Sequence, residues 1–171
     1  MSDDQGDEFF VESRVCEKQF ADHARALGII AGNWAVLESE IEMLFGFVFN
    51  LDYVRSKIIF HAISTLNVRT NLISSIIYEN YQDTPIEQGW NKIKKDIEAA
   101  SKGRNDTMHS VWAVDPKTGE LQRRQRKTKA KHMYIRQNYS ADDLMKIAEM
   151  IGKTAGAINN LSTQVHNLMK E

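Results

Sequence analysis

Between Leu144 and Leu168 the apolar residues Leu144, Ile147, Ile151, Ala155, Ile158, Leu161, Val165 and Leu168 recur every three or four positions. That spacing marks one face of an α-helix. A helix of this extent measures about 38 Å, so in a chain of 171 residues it has to line the whole fold. Ser140 with Asp143 three positions later reads as a capping box at its start. The small residues Gly152, Ala155 and Gly156 allow another helix, from this chain or from a second subunit, to come close.

A second stripe, Leu27, Ile30, Trp34, Leu37, Ile41, Leu44 and Val48, predicts another long helix between about Val15 and Phe49, with Gly32 and Asn33 as places where it can bend. Trp34 reads as a core anchor. A further helix is expected from near Asp52, and Ile59, Ile63, Leu66, Ile73 and Ile77 form a third apolar series. Thr84, Pro85 and Glu87 then signal a helix start, continued by Trp90, Ile93, Ile97 and Ala100, with Gly103 as the expected stop. Only nine glycines and two prolines punctuate the chain, which favours long helices.

The period changes after residue 110. Val111, Trp112, Ala113 and Val114 precede a turn, Asp115 to Gly119, and a returning strand from Glu120 to about Arg126, with Met133, Tyr134 and Ile135 as a third extended piece. The predicted fold is therefore mainly α, a helical bundle with a small β-hairpin, about 111–136, inserted before the last long helix. Residues 1–13 read as an acidic flexible tail and 14–171 as one helical domain. The single cysteine, Cys16, allows no intrachain disulfide. The start of the chain lacks the order of a secretion signal, and no apolar run approaches the roughly 18 residues of a spanning helix. A cytoplasmic protein that does not enter membranes is the expectation.

Charge is unevenly spread. Asp3, Asp4, Asp7, Glu8 and Glu12 open the chain, whereas Arg123, Arg124, Arg126, Lys127, Lys129 and Lys131 crowd the predicted hairpin. Such a run attracts polyanions although the formal net charge is only -1. It also suits a merely solvated rim.

Arg104, Asn105, Asp106 and His109 place a guanidinium, a carboxamide, a carboxylate and an imidazole within six residues. On one straight helix Arg104 and His109 would lie about 140° apart. A break at Gly103 with Asp106 as a new N-cap would instead put His109 in a first turn, beside backbone donors suited to a phosphate. Three roles are open for these groups: proton transfer next to a phosphate clamp, anion binding without turnover, and a structural cap or ion pair. A di-metal site of the ferritin type needs paired Glu-x-x-His elements, and the chain has none. The reading requires no metal and no cofactor. Trp112 is a candidate base-stacking residue or, more simply, a core residue.

Arg104 and Asn105 followed by His109, within an all-helical domain of this size, resemble the motif of the HEPN superfamily, the higher eukaryote and prokaryote nucleotide-binding domains. The resemblance spans roughly Val15 to the end of the chain. It implies a helical bundle that dimerises so that two motifs meet across a groove, and metal-independent cleavage of RNA. Carried over, Arg104 is the phosphate-binding arginine, Asn105 the polar residue beside it and His109 the proton-transfer residue. Asp106 and Trp112 support them, and the basic run holds the RNA backbone. The expected partners are a second copy of the chain, an RNA substrate and a regulatory or antitoxin protein. Ser110 stands where many relatives carry glycine, and the superfamily includes inactive members, so the alternative is a catalytically inactive dimeric module that binds a nucleotide, a nucleic acid or a partner protein.

Overall fold

The structure, a computed structural model, describes residues 13–114, 121–126 and 134–169, with side chains described over 20–113, 121–123 and 137–169. The expected acidic tail lies outside these residues, apart from Ser13, with which the first helix begins. Five helices and a small antiparallel sheet follow in chain order: α1 (Ser13–Val48), α2 (Tyr53–Ala62), α3 (Leu66–Tyr81), α4 (Pro85–Met108), β1 (Val111–Val114), β2 (Leu121–Arg126), β3 (Tyr134–Asn138) and α5 (Ala141–Leu168). The mainly helical fold with a sheet ahead of the last helix is as the periodicity predicts. The hairpin is extended by β3 into a three-stranded meander.

α1 runs unbroken through Gly32 and Asn33. Its stripe is buried from Ala26 through Ile30, Trp34, Leu37, Ile41 and Leu44 to Val48. It ends where Asn50 adopts a left-handed φ of 51°. The Leu51 N–H then donates to the Gly46 carbonyl and the Asn50 N–H to that of Phe47, at 2.9 and 3.0 Å. These two bonds close the Schellman arrangement that satisfies the last carbonyls of a helix.

The apolar series from Ile59 to Ile77 does not form one helix. Ile63 leaves α2 in an extended conformation, and Thr65 caps α3 by accepting from the Val68 N–H. Periodicity carried across this break because both helices turn an apolar face to the same core, where Phe60, Ile73 and Ile77 are buried. At the start of α4, Thr84 occupies the N-cap position without a side-chain bond to the helix. Its hydroxyl donates to the Tyr81 carbonyl, while Glu87 accepts from the Asp83 N–H at 2.8 Å. Trp90 ties α4 to α3 by donating to the Ser74 hydroxyl at 2.9 Å.

α5 packs along α1 and α4. Its capping box is reciprocal: Ser140 accepts from the Asp143 N–H at 3.1 Å, and Asp143 accepts from the Ser140 N–H at 3.2 Å. The close approach at Gly152 is made by α1 of the same chain, with Asn33 donating to the Ala148 carbonyl at 2.8 Å. Gly103 serves a similar purpose on α4. A Cβ there would stand 3.1 Å from Ile147 Cγ2 and 3.3 Å from Met150 Cε, so the glycine lets α5 pass rather than stopping its own helix.

Two stability tests follow from this packing. Gly32 is exposed within α1 and a Cβ there meets nothing, so Gly32→Ala should stabilise by about 0.5–1 kcal/mol. Gly103→Leu should destabilise by about 1–3 kcal/mol, because α5 leaves no space for the side chain. Urea denaturation measures both. The Ser140 hydroxyl and then Lys146 hold the Asp143 carboxyl below the usual carboxylate range. Since the folded value is the lower one, this support is complete above the unfolded value, about pH 4, and is lost as pH falls through the folded value. Backbone carbon shifts of 141–144 should record that loss, and Asp143→Asn should abolish its pH dependence.

Candidate functional site

The residues from Arg104 to His109 lie at the carbonyl end of α4. The helix continues past Gly103 to Met108, and His109 is its C-cap, at φ −101° and ψ 10°. Asp106 is therefore not an N-cap, and the unpaired backbone donors of a helix start are not present at the motif. Glycine commonly ends a helix, which is why the sequence predicts a break at Gly103; here its missing side chain is used for packing against α5.

Arg104 and His109 nevertheless meet. His109 has left the helical path, and the long arginine arm spans the remaining offset to bring Nη1 within 3.2 Å of His109 Nε2. The same Nη1 donates to Asn105 Oδ1 at 2.9 Å. The guanidinium also lies over the Trp34 ring, 5.5 Å from its centroid, a cation–π contact across from α1. Arg104 is half-buried, Asn105 and His109 are exposed, and Trp34 is buried. A guanidinium has donors and no acceptor. Its contact with Nε2 is a hydrogen bond only while that nitrogen carries a lone pair, the state in which imidazole accepts a proton.

The end of the helix is closed by its neighbours. The Asn105 carbonyl accepts from the His109 N–H at 3.2 Å. The Asp106 carbonyl accepts from Ser110 Oγ and, at 2.9 Å, from Arg123 Nη1. Trp112 Nε1 donates to the Thr107 carbonyl at 3.2 Å. The Thr107 hydroxyl, fully buried, bonds back to the Gly103 and Arg104 carbonyls.

Trp112 is half-buried and sets its ring edge-on to Tyr139. Its core role is the one the structure supports.

Arg123 departs most from expectation. Only 5% exposed, it is buried in the central strand and is not placed to hold an RNA backbone. The strand register explains this: Trp112, Arg123 and Gln137 are directly paired across β1, β2 and β3. In that row, Arg123 Nη2 donates to Gln137 Oε1, its guanidinium lies 5.0 Å from the Tyr139 ring centroid, and Nη1 stands 3.9 Å from the Asp106 carboxylate. Arg124 and Arg126 belong to β2, where their backbones pair with Arg136 and Tyr134. Lys127, Lys129 and Lys131 lie outside the described residues.

The other described histidines have separate partners. His23 meets the Tyr139 carbonyl, His61 meets Glu42 and His166 stacks on Phe47. Among the described residues no group of three or more His, Cys, Asp and Glu converges as metal ligands would. Two participants are not evident in the sequence. Trp34 resembles any core residue of its stripe, and Arg123 one more charge of a basic run. Neither carries a local signal of its role, because both act on residues remote in sequence. Compared with family models, curated proteins and solved structures, the chain matches none of them.

The contact between Arg104 and His109 should be visible in ¹⁵N spectra. His109→Ala should move the Arg104 guanidinium resonances, whereas His109→Gln, whose amide oxygen can accept from Nη1, should move them less.

Proposed function

We propose that this chain is a metal-independent endoribonuclease of the HEPN type, acting as a homodimer. The observation that supports the reading most is the 3.2 Å contact between Arg104 and His109 at an exposed helix end. In this scheme a scissile phosphate enters between the two side chains, and the Arg104 fork takes its non-bridging oxygens. His109 Nε2 accepts the proton of the ribose 2′-hydroxyl. The 2′-oxygen then attacks phosphorus, and the bond to the 5′-oxygen breaks. A second imidazole, from the other copy, protonates the departing oxygen, leaving a 2′,3′-cyclic phosphate and a 5′-hydroxyl. Asn105 and Trp34 orient the arginine.

A dimeric binding module without turnover is the second reading. The position of the motif at the carbonyl end of α4 weighs against turnover more than against binding, because the partial negative charge of the helix opposes the charge that builds on a phosphate as it reacts. There the guanidinium has to supply all the attraction that a helix start would have shared.

Purified protein and end-labelled RNA separate the two. Cleavage should persist in excess chelator and yield cyclic-phosphate ends. His109→Ala should lower the rate about 10²–10⁴-fold, and Arg104→Ala about 10²–10³-fold. Equal cleavage by either folded variant would overturn the nuclease reading. Intact RNA that is nonetheless bound, with affinity falling as salt rises, would establish the binding module.

A further inference from the structure

We infer that Arg123 is a positioning residue for the pair formed by Arg104 and His109, and that the inserted sheet acts as the clamp that holds it. The inference rests on the reading of that pair as the reactive site. Its physical basis is the closure of α4. The last carbonyls of a helix have no partner within it, and His109 projects from the turn that carries those carbonyls. The direction of its ring therefore depends on how that turn is held.

Among the described residues three side chains hold it: Ser110 locally, and Trp112 and Arg123 from the sheet. Arg123 contributes the only cation among these caps, at the helix end where positive charge is favoured. Its position is itself built. Gln137 on β3 takes one guanidinium nitrogen, the Tyr139 ring lies against its face, and the Asp106 carboxylate approaches the other nitrogen. A buried arginine whose guanidinium is aimed at a helix carbonyl does not serve a solvated rim. Its Nε lacks a partner among the described residues. The sheet therefore tolerates an imperfectly satisfied cation there, and the bonds through Nη1 and Nη2 are what it gains.

The register makes the clamp specific. Trp112 and Gln137 flank Arg123 on neighbouring strands. Trp112 and Arg123 reach successive carbonyls of α4, Thr107 and Asp106. Losing Arg123 removes the bond from the sheet to the Asp106 carbonyl, and the 3.2 Å contact of His109 to Arg104 is no longer enforced from that side.

The test is a double-mutant cycle read on the His109 ring by ¹⁵N-histidine spectra of the full chain. Arg104→Lys should shift His109 Nε2 in the otherwise unchanged protein. In the Arg123→Met background that response should fall by about half or more. Arg123→Lys, which keeps the charge but cannot bridge Asp106 and Gln137 together, should give an intermediate response. A general loss of stability would not uncouple these two side chains. An undiminished response in a folded Arg123→Met protein would overturn the inference. Should Arg123→Met fail to fold, Gln137→Ala replaces an exposed residue and should weaken the response in the same direction; no change there would overturn it equally.

Where the protein cleaves RNA, Arg123→Met should lower kcat at least about tenfold with KM within about twofold. A raised KM with unchanged kcat and a flatter salt dependence would instead make Arg123 a phosphate contact and overturn the clamp. Absence of cleavage by the unmodified protein would count against the ribonuclease reading alone, and the spectra would still decide the role of Arg123.

Discussion

A helix that ends at the surface has to dispose of carbonyl groups it cannot bond itself, and at α4 this requirement organises everything around the motif. Asn105, Asp106 and Thr107 offer their carbonyls to His109, to Ser110 and Arg123, and to Trp112 respectively. Two of those donors stand on β1 and β2, so the sheet completes the helix rather than merely decorating the bundle. The closure also accounts for two side chains that would otherwise look free to meet a nucleic acid. Trp112 and Arg123 face inward because the helix end needs their N–H groups.

Burying a guanidinium is unfavourable unless its donors are satisfied and a counter-charge is near. Arg123 meets much of that condition through the Asp106 carbonyl, the Gln137 amide oxygen and the Asp106 carboxylate, with the Tyr139 ring against its face. Arg104 is treated differently. It keeps contact with solvent and rests on Trp34, which restricts the arm without neutralising the charge. Of two arginines near one helix end, one is committed to structure and the other remains able to meet an anion. That division follows from the elements each belongs to, since Arg104 projects from the helix itself and Arg123 reaches it from the middle strand.

The carbonyl end of a helix is a poor place for a phosphate on electrostatic grounds. A phosphate held there would depend on Arg104 for its attraction, and the features that fix the orientation of that side chain would matter for the same reason. Asn105 and His109 share one of its nitrogens, and the indole limits its other degrees of freedom. The site is small and built from one turn, with its rigidity borrowed from α1 on one side and the sheet on the other. Gly103 adds to this indirectly, by letting α5 pack closely on the turn before the motif.

Helix positions were legible in the chain because burial imposes a period on apolar residues, and the stripes of α1, α4 and α5 are long enough to show it. Local capping was legible for the same kind of reason: Ser140 and Asp143 are neighbours in sequence and need nothing else. Even so, Ile59 to Ile77 shows that periodicity does not see a break when two helices share one core. Gly103 shows that a residue type can carry two physical meanings, since an absent side chain permits either a left-handed turn or a close neighbour. What the sequence determined by itself was the course of the three long helices, the inserted strands and the nearness of Arg104 to His109 along the chain. Only the tertiary structure decided that α4 runs through the motif, that Trp34 lies under Arg104 and that Arg123 turns inward, because each depends on a partner distant in sequence whose position is set by packing.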